Sequence, residues 1–151
     1  MAITDQINAR DWIFEVLAAD GTTWITIEGI NKFSSKPGEH EEVAEMTVFK
    51  SKGKHASQPM QRGATLEIEG RIYLSSPAAV RDPGQLRIEA LGALMANDSL
   101  GEIRWRHEIQ TTWVVWDCWI SLGESGGENN DKASWAFVAT RFEAATTMAV
   151  A

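Results

Sequence analysis

The sequence predicts an all-β fold, a sandwich or half-barrel, with one flanking α-helix. Three observations predict it. Thr112 to Phe142 holds two aromatic and β-branched runs, TWVVWDCWISL and ASWAFVATRF, joined by the polar turn GESGGENNDK. Such runs around Gly, Asn and Asp read as a long β-hairpin. Ala64 to Leu74 alternates at period two, with Leu66, Ile68, Ile72 and Leu74 opposite Thr65, Glu67, Glu69, Arg71 and Tyr73. Only Asp82-Pro83-Gly84 makes a convincing helix start, because Asp is a good N-cap and Pro fits the first turn.

In chain order, Asp11 to Ala18 and Thr23 to Glu28 are strand-like. The Asp20-Gly21 pair between them tolerates positive φ and signals a hairpin. Asn31 to Ala44 (NKFSSKPGEHEEVA) is polar, holds Pro37-Gly38, and leads into an acidic cluster at Glu39, Glu41, Glu42 and Glu45. Without helical periodicity it reads as a long exposed loop or an extended hairpin arm, a kind of segment that is often functional. Glu45 to Ser51 is strand-like, Lys50 to Lys54 is a basic turn, and Gln58 to Gly63 leads into the Ala64 strand.

Ser75 to Val80 reads as a loop. The helix runs over about 83–96, roughly 12 residues, with an apolar stripe at Leu86, Ala90, Leu91 and Leu94. Gly101 to Ile109 alternates again, with Ile103, Trp105, His107 and Ile109 opposite Glu102, Arg104, Arg106 and Glu108. The tail Ala144 to Ala151 is small and reads as flexible, weakly structured chain. The total is about seven or eight strands and one helix in a single domain, residues 1–151, with no internal repeat.

Within the hairpin, Trp113, Val115 and Trp119 share one strand face. Val114, Trp116, Cys118, Ile120 and Leu122 share the other. A half-wetted sheet alternates apolar and polar residues. This strand is apolar on both faces, so both need cover.

A net charge of −7 disfavours non-specific binding to nucleic acid or anionic membrane, though an acidic wall suits a passage through which nucleic acid must move. Cys118 is the single cysteine, so no intramolecular disulfide forms, and its apolar strand gives it a buried structural role. No apolar run approaches the ~18 residues of a membrane span. The opening MAITDQINARDW lacks signal-peptide character, which points to synthesis in a cytoplasm. The sequon Asn97-Asp98-Ser99 carries no weight without a secretory signal.

Catalytic patterns are weak. His40, His55 and His107 lie on different segments without partners at metal spacing, so no metal or cofactor is expected. His40 beside Glu39, Glu41 and Glu42 reads as a solvated charge run. Gly123 to Gly127 precedes no helix and reads as a turn rather than a phosphate cradle. Glu67 and Glu69 sit roughly 7 Å apart on one strand face, as any two acids on an amphipathic strand do. Neither forms a catalytic pair with a named nucleophile, so the protein is read as a non-enzyme. The seven tryptophans suit core and interface packing better than a stacking platform.

The ordered set TWITIEGI (Thr23 to Ile30), EMTVFKSKG (Glu45 to Gly53), QRGATLEIEGRIYL (Gln61 to Leu74), DPGQLRIEALGAL (Asp82 to Leu94) and DKASWAFVATRFE (Asp131 to Glu143) resembles the major tail tube proteins of long-tailed, siphovirus-like bacteriophages. The resemblance spans about residues 10 to 143 and implies a virion protein made in a host cytoplasm. Its copies would form hexameric rings that stack into a hollow tube through which DNA is ejected. The implied partners are further copies of the chain, the tape measure, tail terminator and distal tail proteins, and DNA passing without specific binding; no membrane is involved.

The implied ring-stacking loop carries Lys32, Phe33, Lys36, Pro37, Glu39, Glu41 and Glu42. A second turn near Lys50 to Pro59 could add to stacking. A closed ring removes unpaired sheet edges. The polar face Glu67, Glu69, Arg71 is the first candidate lumen wall, and Arg104, Arg106, Glu108 the second. Arginine counts against both unless neighbouring acids pair with it. Trp113 and Trp119 form the candidate subunit interface, while Val114, Trp116, Cys118 and Ile120 face the core. Two other readings are a small β-sandwich module binding carbohydrate or a hydrophobic ligand, and the tube of a related contractile injection or secretion system.

Overall fold

The computed structural model describes residues 8–38, 42–45, 57–61, 63–75, 80–130 and 132–150. The strands are β1 (Trp12–Leu17), β2 (Trp24–Thr26), β3 (Ile30–Lys36), β4 (Glu42–Glu45), β5 (Ser57–Gln61), β6 (Thr65–Arg71), β7 (Leu74–Ser75), β8 (Val80–Arg81), β9 (Leu100–His107), β10 (Thr112–Leu122), β11 (Ser134–Arg141) and β12 (Thr146–Ala149). One α-helix, α1 (Pro83–Gly92), lies between β8 and β9.

Eight strands make one antiparallel sheet in the order β2-β1-β9-β10-β11-β6-β3, with β12 also paired to β10. β11 pairs the second half of β10 and β12 the first half, both on the same hairpin return. Thus the tail that reads as weakly structured contains a strand. Its small residues hide the signal, because β10 supplies the backbone partners.

β2 and β3 stand at opposite ends of the sheet order, yet only Ile27, Glu28 and Gly29 separate them in sequence. The sheet must therefore curl until its two edges approach. Ring contacts cross the interior there, with Phe33 of β3 5.5 Å from Trp12 and 5.0 Å from Phe14 of β1. The sheet does not close, since neither β1 nor β2 pairs with β3.

The concave side is the core, which holds Phe14, Val16, Leu66, Ile68, Ile103, Trp105, Trp116, Cys118 and Phe137. Trp105 and Trp116 meet edge to face at 4.7 Å, a favourable aromatic geometry. The predicted core face of β10 is observed, with Val114 packed at its margin.

Helix α1 covers one flank. Asp82 caps it by accepting from the Gln85 backbone N–H at 3.0 Å, as the sequence predicts. The helix ends at Gly92, and its buried residues are Gly84, Gln85, Ile88 and Leu91. Of the predicted stripe only Leu91 points inward, and Leu86, Ala90 and Leu94 are exposed. Gln85 takes an inward place because it meets backbone rather than apolar surface. Its Nε2 donates to the Glu28 and Arg71 carbonyls at 2.8 Å each, and its Oε1 accepts from the Tyr73 N–H at 3.1 Å.

The turn between β1 and β2 is built on Asp20, which accepts from the Thr22 and Thr23 backbone N–H groups. These bonds hold its carboxyl down at about 2. Gly21 supplies the positive φ of that turn.

The segment 31–44 is not one long loop. Ile30–Lys36 is a strand on β6, with a bulge between Ile30 and Lys32. That bulge breaks the period-two pattern, so the strand is hidden in the sequence. β4 and β5 then form a separate two-stranded ribbon, which matches the hairpin-arm alternative. Leu74 and Ser75 pair with Arg81 and Val80, so both ends of the expected Ser75–Val80 loop are strand. Glu39, His40, Glu41, the strand-like residues 46–51, the basic turn 50–54 and His55 lie outside the described residues.

Candidate functional site: the outer face of the sheet

Residues paired in register share a sheet face. Across β3, β6 and β11 this joins Lys32 to Glu69 and Ala136, Ser34 to Glu67 and Val138, and Lys36 to Thr65 and Thr140. Across β11, β10 and β9 it joins Thr140 to Trp119 and Leu100, and Asp117 to Glu102. Across β10, β9 and β1 it joins Val115 to Arg104 and Glu15. The two candidate lumen walls and the candidate interface tryptophans therefore lie on one continuous outer face. Glu108 sits just past β9, in an exposed turn.

Three cations of this face are held. Lys36 Nζ lies 3.0 Å from Glu67 Oε1. Arg104 pairs with Glu15 at 2.5 Å, and its guanidinium stacks between the rings of Trp24 and Trp113 at 4.3 and 4.2 Å. Arg106 lies 4.9 Å from the Trp113 ring centroid, and its Nη1 donates to the Glu108 and Gln110 carbonyls at 3.0 and 3.1 Å. Weakly hydrated guanidinium groups suit such aromatic stacking. Arg71 and Glu69 are exposed.

This arginine–tryptophan stack covers Trp113, which is only 6% exposed within its own chain. Trp119 is 43% exposed and stays open to a partner. The sequence places the two tryptophans together because they share a strand face. It does not show that the arginines of β9 stack over only one of them.

The stacking-loop candidates are also separated. Phe33 turns into the core, Lys32 and Pro37 are exposed, and Lys36 is tied to Glu67. Glu42 begins β4.

No family model and no curated protein matches the chain. Solved structures do. A chain in the tail of the empty gene transfer agent particle, refined helically with C6 symmetry, is 17% identical with a TM-score of 0.69, covering 95% of this chain and 100% of its own. A chain of the native gene transfer agent virion is 17% identical with a TM-score of 0.65, over 95% and 100% of the two chains. A chain in the six-fold symmetrised baseplate of the anti-feeding prophage is 11% identical with a TM-score of 0.60, over 97% and 98%. This protein has the fold of these tail and baseplate chains.

Within that fold, the remaining polar groups of interest are structural. His107 is buried; its Nδ1 accepts from the Ile109 N–H at 3.3 Å, which leaves Nε2 to donate to the Asn8 carbonyl at 3.2 Å. Burial, then the Asp117 and Glu102 charges, push the Cys118 thiol up to about 12. Among the described residues no three His, Cys, Asp or Glu side chains cluster to hold a metal. No helix among them is long and apolar enough to cross a membrane.

Proposed function

We propose that the protein is a structural tail tube subunit of a virion tail. Six copies form a ring, and rings stack into a hollow tube that delivers DNA to a host. One observation carries this reading: the fold matches almost the whole chain to a chain of a helical, C6-symmetric tail. The outer face supports it, since Arg104, Arg106 and Lys36 are held by neighbours rather than offered to phosphates. In this reading Glu67, Glu69 and Arg71 belong to the lumen wall, with Arg104, Arg106 and Glu108 beside them. Trp119 belongs to the subunit interface. The tape measure, tail terminator and distal tail proteins are its other partners, and the chain carries out no catalysis.

The likeness to the anti-feeding prophage baseplate chain favours a second reading, the tube of a related injection system. A ligand-binding module is less well supported. Phe14, Trp105, Trp116 and Phe137 fill the curled sheet, and six of the seven tryptophans are at least half-buried.

Negative-stain microscopy of the concentrated protein tests the reading. Rings or hollow tubes with six-fold averages are expected. Compact monomers alone, at high concentration and in the native particle, would overturn it.

A further inference from the structure

The curled sheet leaves a groove at the end where the chain enters it. β1 pairs β2 from Glu15 to Leu17, so no described strand lies beside Trp12 and Ile13 on the β2 side. The groove there measures about 780 Å³, and Arg10, Trp12, Ile13, Ile30, Lys32 and Phe33 are among its lining residues. Trp12, Ile30 and Phe33 pack against the core yet stay only partly buried. An apolar floor left half-covered favours any apolar segment laid over it.

The chain brings such a segment to the lip of the groove. Asn8 precedes the short 3₁₀ turn Ala9–Asp11, and Ala9 and Arg10 already line the groove. Asn8 is fixed in an extended conformation, φ −77° and ψ 129°. Its carbonyl accepts from the Asp11 N–H and from His107 Nε2, each at 3.2 Å. The seven residues before it read MAITDQI. In an extended segment Met1, Ile3, Asp5 and Ile7 share one face, opposite Ala2, Thr4 and Gln6. Seven extended residues reach ~23 Å from Asn8. Asp5 is the one charged side chain among them, and the groove offers Arg10 and exposed Lys32 against Glu28. So short a tether keeps the segment beside the groove at an effective concentration on the order of millimolar, which an outside strand would have to match.

We propose that the groove takes the chain's own residues 1–7, with Ile3 and Ile7 laid on Trp12 and Phe33 and Asp5 turned towards Lys32. The subunit thereby covers its own apolar groove before it meets any partner. The inference goes beyond the tube reading and does not depend on it.

A double variant, Ile3→Cys/Lys32→Cys, tests it by mild oxidation of dilute monomer. Ile3→Cys/Ile109→Cys is the control. Ile109 is exposed and lies one imidazole away from Asn8, since its N–H meets His107 Nδ1 while Nε2 meets Asn8, but it does not line the groove. Buried Cys118 stays in both as a silent thiol. The disulfide within the chain should form at least tenfold faster in the Lys32 variant than in the control, and adding Ile7→Asp should bring it down to the control's rate. Equal rates in the two variants would overturn the proposal, because the segment would then favour neither surface. A tenfold excess that survives Ile7→Asp would overturn the apolar docking. Disulfides between copies, rising with concentration, would overturn it as well and give the groove to a second copy.

Discussion

Arg104 Nη2 lies 2.5 Å from Glu15 Oε1, and Arg104 Nε donates to the same oxygen at 2.7 Å, across 89 residues of chain. The pair is largely buried under Trp24 and Trp113, and Arg104 Nη1 also reaches Met148 Sδ at 3.1 Å. One guanidinium thus links β1, β2, β9, β10 and β12. Glu15→Gln removes the counter-charge and leaves a cation in a poorly hydrated place. We expect a loss of about 2–3 kcal/mol in urea unfolding, below the full cost of breaking a wholly buried pair. The variant should also gain salt-sensitive affinity for duplex DNA at low ionic strength. Unchanged stability would mean that the aromatic stack alone holds Arg104.

Gln85 is the second keystone. Its amide makes three hydrogen bonds to backbone, one in the β2–β3 link and two at the end of β6 and just after it. Gly29, at φ +82°, passes so close that an added Cβ would stand 2.6 Å from the Arg71 carbonyl oxygen and 2.8 Å from Gln85 Nε2. Gln85→Met keeps the volume and removes all three bonds. Buried backbone groups left unpaired cost ~1 kcal/mol or more each, so a loss of about 3 kcal/mol is expected. Thermal unfolding should fall by roughly 6–12 °C. A loss below about 1 kcal/mol would mean that water replaces the amide.

These two residues show where sequence reading stops. The strands with strong alternation, β6 and β9, and the long β10–β11 hairpin were legible, because burial on one face imposes period two. So was the Asp82 cap, a local device. β3 was not, since a bulge breaks its pattern and β6 supplies its pairing. Nor was β12, whose exposed residues carry no apolar pattern. The inward face of α1 departs from its apolar stripe because Gln85 turns in to bond distant backbone. Glu15 and Arg104 were visible as charges, but their meeting depends on the β1–β9 register, which no local pattern encodes.

Cys118 is fully buried, and its thiol is raised from an ordinary 9.0 to about 12. The unfolded chain ionises this thiol above about 9 and the folded chain does not, so its contribution to stability is complete below pH 9 and is lost as pH rises towards 12. Native protein at pH 8 should react with a thiol reagent no faster than it unfolds, whereas the urea-unfolded chain reacts at once. Rapid native labelling would show that β10 and β11 open locally.

Trp113 and Trp119 occupy the same strand face but should behave as opposites. Trp113 lies beneath Arg104 and Arg106, so Trp113→Ala opens a cavity, takes the ring from beside Arg106 and leaves Arg104 only that of Trp24. A loss of about 3–5 kcal/mol is expected, comparable with Trp116→Ala in the core. Of the two tryptophans expected at the subunit interface, Trp119 is thus the one left open to a partner. Trp119, 43% exposed, has no such cover. Trp119→Ala should change monomer stability by less than about 1 kcal/mol while weakening ring formation at least tenfold, since exposed tryptophans are favoured interface anchors. Sedimentation of the two variants beside their urea midpoints separates the effects. Normal assembly by folded Trp119→Ala would remove this residue from the interface.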